Sequence, residues 1–285
     1  MSLRFRSLCL FFIVTLSVLL GGCASRLSYQ VIDIWLAWSA DDYVSLTSRQ
    51  ETLLDQRVDA LVEWHRTTQL PRYIDWLRTF RERVKQPMSG EDFAAEFNYL
   101  NGFVDDVIKR VEPDILDLVA TLSDQQLEEL KKNLLRQNDE TLAEYRDMMP
   151  AKRQRQREDS ASSNVQRWIG KLNRQERVLV RNWSRDLAGT GEERYKTSIL
   201  WQESFFAAAA LRQDRAAFQA AMKPLLYAPE NYRSEQYTKI LLDNQRKTFN
   251  MLGSIHQSLE KNQKKRLDLS IDSWIDTLES LTDTN

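Results

Sequence analysis

Residues 122–134 read LSDQQLEELKKNL, and this stretch decides the fold. Ser123 stands just before the apolar series Leu127, Leu130 and Leu134, spaced three and four residues apart as one face of an α-helix requires. Its hydroxyl can accept from free N–H groups of the first turn, while the Gln126 side chain reaches back to the N–H of Ser123. Leu122 can close over Leu127 as a hydrophobic staple. The pattern recurs at Leu46-Thr47-Ser48-Arg49-Gln50 and at Leu172-Asn173-Arg174-Gln175-Glu176. A weaker copy, Leu259-Glu260-Lys261-Asn262-Gln263, has Glu260 in the cap position. The intervals are too uneven for a solenoid array.

Working outward from these starts, the whole chain reads as helical. It has 285 residues with only 8 Gly and 6 Pro, 28% charged residues and 10% aromatic ones. Few turn-formers with ample charge predict a folded, all-α protein. Disorder is excluded by 8 Trp, 11 Phe and 9 Tyr, which a solvated coil would not carry. Two Cys cannot make a disulfide scaffold, and a formal charge of −1 argues against nucleic acid as a partner.

Arg4 and Arg6, an apolar run over Leu8–Leu20, and Gly21-Gly22 before Cys23 have the form of a secretory signal, too short to span a membrane. Leu20-Gly21-Gly22-Cys23 resembles a bacterial lipobox. That resemblance implies diacylglyceryl and N-acyl chains (palmitate among them) on Cys23 and cleavage before it. Residues 1–22 are then a cleaved signal peptide. Its loss takes Arg4 and Arg6 from the 40 basic residues and none of the 41 acidic ones, so the mature net charge is −3. Cys9 leaves with the leader, so the mature chain keeps no free thiol. Ala24 and Ser25 follow the anchor, and the absence of Asp there implies, by likeness to enterobacterial lipoproteins, release to the periplasmic face of the outer membrane. Residues 23–28 form a lipidated tether that spans only about 17 Å, so the folded body sits close to the leaflet.

Helices are expected at 29–40, from Thr47 to Leu70-Pro71, from Pro71 to Gln86, from Ser89 towards Arg110, from Pro113, and from Ser123. The polar run 151–164 after Pro150 reads as a linker or helix extension. It divides an N-terminal helical region, 29–150, from a C-terminal one, 165–285, whose helices lie near 173–188, 192–212, 214–226, 232–257 and 260–281. The expected architecture is a multi-helix bundle, with room for two helical lobes.

From Tyr29 onward the chain resembles an uncharacterised family of proteobacterial lipoproteins. The residues that carry the resemblance are Tyr29, Asp33-Ile34-Trp35-Leu36, Trp38, Asp41-Asp42-Tyr43, Leu46-Thr47 with Gln50, and Trp64-His65-Arg66 followed by Leu70-Pro71 and Tyr73. It implies an address and a fold, and no catalytic residues. The Leu46/Thr47/Gln50, Leu122/Ser123/Gln126 and Leu172/Asn173/Glu176 elements are distantly reminiscent of the L-T-x-x-Q elements of Spy/CpxP-type periplasmic chaperones. Helix capping explains the same residues unaided.

Chemistry is sparse. His65 and His256 are the only histidines and stand in no metal-ligand spacing, so no metal or cofactor beyond the covalent lipid is expected. His65, on an apolar helix stripe, reads as a packed core histidine. Asp41 and Asp42 could offer paired carboxylates to a wall hydrolase, although adjacent side chains diverge. Tyr29, Trp35, Trp38 and Tyr43 are either a membrane-proximal surface or a plug for the core. Trp64, His65 and Arg66 extend that candidate binding surface. The expected role is binding rather than catalysis: a lipid-anchored protein of envelope maintenance or stress that holds a client, with a structural or assembly factor holding one envelope partner as the alternative.

Overall fold

The computed structural model describes residues 43–282. The leader 1–22, Cys23, the tether, and Tyr29, Trp35, Trp38, Asp41 and Asp42 lie outside them. The described residues are all-α. In chain order they form α1 (Ser48–Trp64), a π-helical turn (His65–Gln69), α2 (Leu70–Arg83), α3 (Gly90–Ala120), α4 (Asp124–Asp147), α5 (Pro150–Ile169), α6 (Arg174–Asp186), α7 (Gly191–Ala209), α8 (Arg215–Tyr227), a 3₁₀ turn (Pro229–Tyr232), α9 (Glu235–Gln257) and α10 (Lys261–Thr282).

The capped starts are where the sequence puts them. Thr47, Ser123 and Asn173 each accept from the backbone three residues on, and Gln50, Gln126 and Glu176 each reach back to the cap. Ser89, also an expected helix start, makes a further capping box with Asp92.

Two boundaries differ from expectation, and a third is decided between its alternatives. Pro113 does not open a helix but lies inside α3, which continues for 31 residues to Ala120. Pro113 removes one N–H from the ladder, and the buried faces on both sides, from Phe103 and Val104 to Ile115 and Val119, hold the helix together. Of the two forms expected for residues 151–164, linker or helix extension, they take the helical one: they lie within α5, where Pro150 occupies the first turn and no breaker follows until Gly170. The first long helix does not run as regular α-helix to Leu70, because the π turn over His65–Gln69 intervenes.

Burial separates two apolar cores. The first gathers Leu61 of α1, Val104–Val119 of α3, Leu127 and Leu130 of α4, Phe205 of α7, and Phe218, Met222 and Leu225 of α8. The second gathers Leu70–Leu77 of α2, Phe103 of α3, Ile169 of α5, Val180 and Trp183 of α6, Ile255 of α9 and Leu267–Leu278 of α10. Both draw on residues from either side of the 151–164 run, so the cores interleave along the chain. α3 serves both, with Phe103 in one and Val104 in the other. Arg57 ties α1 to α3 through the buried Asp114 at 3.1 Å and through Asp117.

Candidate functional site

The four Leu-x-x-x-Gln/Glu starts come together in two pairs. Gln50 and Gln126 lie buried side by side at the start of α1 and α4. Gln50 Oε1 accepts from the N–H of Thr47, and Gln126 Oε1 from that of Ser123, both at 2.9 Å. Each amide nitrogen then donates to the partner's Oε1, at 3.1 and 2.7 Å. Each also donates to the backbone two residues before the partner's cap: Gln50 to Thr121 O at 2.9 Å, Gln126 to Ser45 O at 2.8 Å. All four polar ends are satisfied, which is what an amide pair in a desolvated place requires.

Glu176 and Gln263 repeat the arrangement between α6 and α10. Glu176 Oε2 accepts from Asn173 N–H at 2.7 Å and from Gln263 Nε2 at 2.8 Å. Gln263 Oε1 accepts from Glu260 N–H, and Gln263 Nε2 donates to Lys171 O. Glu176 is fully buried, and its Oε1, standing where a glutamine would carry its amide nitrogen, has no hydrogen-bond partner. The pairing of copies is a long-range fact. Its one sequence signal is the amide retained at Gln50, Gln126 and Gln263, since three or four carboxylates could not sit in such pairs uncompensated.

The first pair has a groove beside it. About 1470 Å³ of space lies between α1 and α4, walled by Ser45, Thr47, Gln50, Leu53, Gln56, Thr121, Ser123 and Gln126. Arg49, Glu128, Glu129 and Lys132 stand on its rim. Most of its walls come from hydroxyl- and amide-bearing residues, although carbon atoms make up the larger share of the exposed lining, and the rim charges balance. Glu129 accepts from the Ser45 hydroxyl at 2.7 Å and from its N–H at 3.1 Å, and these bonds hold its carboxyl below the usual glutamate range. Leu53 and Gln56 were not singled out in the sequence, because one turn beyond a cap nothing local marks them.

Of the other candidate residues described, Tyr43 is buried in the first core, its hydroxyl bonded to Gln137 and its carbonyl accepting from Asn133 at 2.8 Å. Tyr43 through Ser45 thus lies along α4 beside the groove. Trp64 packs against the same core. His65 is buried in the π turn with Nε2 3.1 Å from the Tyr73 hydroxyl, and burial pulls its pKa down to about 3. Arg66 pairs with Glu63 on the surface. Trp64, His65 and Arg66 are therefore not part of the groove. Leu46, Leu122 and Leu172 supply apolar cover at the caps, Leu172 being 2% exposed.

His256 is bound from both sides: Nδ1 accepts from Met88 N–H at 3.2 Å, and Nε2 donates to Val84 O at 3.0 Å. Burial lowers its pKa, against the raising effect of the Val84 bond. Among the described residues no group of three or more His, Cys, Asp or Glu could hold a metal ion. No described helix is long and apolar enough to cross a membrane.

Residues 42–238 match a family of unknown function, DUF6279. The chain belongs to this family. The DUF6279 match takes in the whole groove and the first amide pair, and it ends at the start of α9, before Gln263 and α10. No curated protein and no solved structure matches the chain.

Proposed function

We propose that this protein is a lipid-anchored outer-membrane lipoprotein of the periplasm that works by binding, and that the α1–α4 groove holds a client polypeptide in envelope maintenance or stress. The observation that carries the reading is the groove of about 1470 Å³ beside the paired capping motifs. The Gln56 amide on its wall and the Arg49, Glu128 and Lys132 side chains on its rim supply donors and acceptors that suit a segment of unfolded chain whose own backbone groups want partners. The lipobox resemblance at Cys23 and the short tether support the address.

Light scattering from an unfolding client tests the reading. Equimolar protein is expected to suppress aggregation; Thr52 lines the groove on α1 beside Gln56, and Thr52→Arg with Gln56→Arg, which fill it from that side, are expected to abolish suppression at unchanged Tm. Absence of suppression by the unaltered protein overturns the reading. The mixed rim of Arg49, Glu128, Glu129 and Lys132 favours a second one, a single envelope partner selected by charge. Crosslinking from Gln56 to one dominant species instead of a spread would select it.

A further inference from the structure

The two apolar cores meet at one level of the molecule, and the chain is weak where it crosses that level. The α1–α2 rod has Leu61 and Trp64 in the first core and Leu70 and Tyr73 in the second. Between them lies the π turn His65–Gln69, where one extra residue is absorbed and the i→i−4 ladder is interrupted. α3 changes cores between Phe103 and Val104, directly after Gly102. Gly102 is an exposed, mid-helix glycine, and a Cβ added there would meet nothing within 4 Å. No close approach demands glycine, so its effect there is to loosen the helix.

The two weak points touch. Tyr73 packs tilted against Phe103 with ring centroids 4.8 Å apart and 56° between the ring planes, and its hydroxyl meets His65. Arg72 lies over the Phe103 ring while paired with Asp106 at 2.6 Å. Buried polar side chains, His65 and Gln69, occupy the rod's own crossing, where an apolar layer would lock the cores together. Two further crossings are non-helical: Met148-Met149 and residues 187–190. α9 runs uninterrupted beside α3, with Phe249 against Phe97, and limits the movement to a bend.

We propose that the π turn and Gly102 form a single hinge about which the two cores bend relative to one another. The hinge stands on this geometry alone and is independent of what the groove binds.

Native-state hydrogen exchange on the full chain, read by mass spectrometry, tests it. Amides of 65–70 and 100–106 are expected to exchange faster than those of 107–119 and 72–80. Gly102→Ala, which clashes with nothing, should slow both hinge segments about fivefold, the worth of one glycine-to-alanine change inside a helix. Asp159→Ala, a comparable change within α5, should leave 65–70 unaltered. Slowing confined to the neighbourhood of residue 102, or hinge segments as protected as the cores, overturns the proposal.

Discussion

Glu176 differs from Gln50 and Gln126 by one group, an oxygen in place of an amide nitrogen, and that atom is the one left without a hydrogen bond. In the first amide pair the equivalent nitrogens each donate both to the partner's Oε1 and to backbone, and that of Gln50 also reaches the Thr121 hydroxyl. Glu176→Gln should therefore supply donors to Gln263 Oε1 and to the backbone before Glu260, and relieve an uncompensated buried oxygen. The expected gain is about 1–3 kcal/mol, seen as a Tm several degrees higher. Gln126→Glu should move Tm the opposite way, because it removes the donor to Ser45 O. A Tm for Glu176→Gln at or below that of the unaltered chain would show that the two pairs are not equivalent.

Among the elements, α3 and α9 approach most closely at their glycines. A Cβ on Gly253 would lie 2.6 Å from Gly90 N and 2.7 Å from Ser89 C, backbone atoms that cannot step aside. Gly253→Ala should lower the urea midpoint, at a cost of about 1–3 kcal/mol. Gly102→Ala, in the same α3, should raise it. What was legible in the sequence follows the range of the forces involved. The starts of α1, α4 and α6 were readable because a cap and its N3 partner are three residues apart. The candidate Gln50 and Gln126 were readable as capping residues for the same reason. Their contact with each other was not, since it joins residues 76 apart. The π turn escaped notice because His65 falls on the apolar stripe of either helix, and its register is set by what α2 must bury. α5 was hidden by its polarity: only Ala161 and Ile169 of its residues are buried.

For the molecule as a whole, acid stability rests on two buried imidazoles. The chain has 2 His, and both have pKa values lowered by burial. In the unfolded chain they titrate near 6.5. As pH falls below that value the unfolded form takes up protons that the native form refuses, so stability is complete above about pH 6.5 and declines below it, by at most about 1.4 kcal/mol per pH unit for each histidine. His65 carries this decline down to about pH 3. Carboxyls held low by hydrogen bonds, such as Glu129 and Asp92, keep their full contribution above their ordinary values of 4.5 and 3.8 and lose it progressively as pH falls below them, so they add to the decline only at its acid end. Urea unfolding at pH 7, 6 and 5 should show falling midpoints, and His65→Gln with His256→Gln should flatten the trend. A slope that survives both changes would assign it to other groups.

The partners of α2 give the protein a clock. Arg78 reaches Glu279, Arg81 reaches Asp268, and Val84 with Met88 waits for His256, all far ahead in the chain. The first core uses nothing beyond Tyr232. A chain that emerges from its amino end can therefore complete one core while the face of α2 that carries Leu70, Ile74 and Leu77, already joined to α3 through Tyr73 and Phe103, lacks its α10 cover until 261–282 arrive. Over that interval the protein is itself an unfinished chain with a partly uncovered apolar face, and the order of its assembly is written into how far α2 stands in sequence from α10.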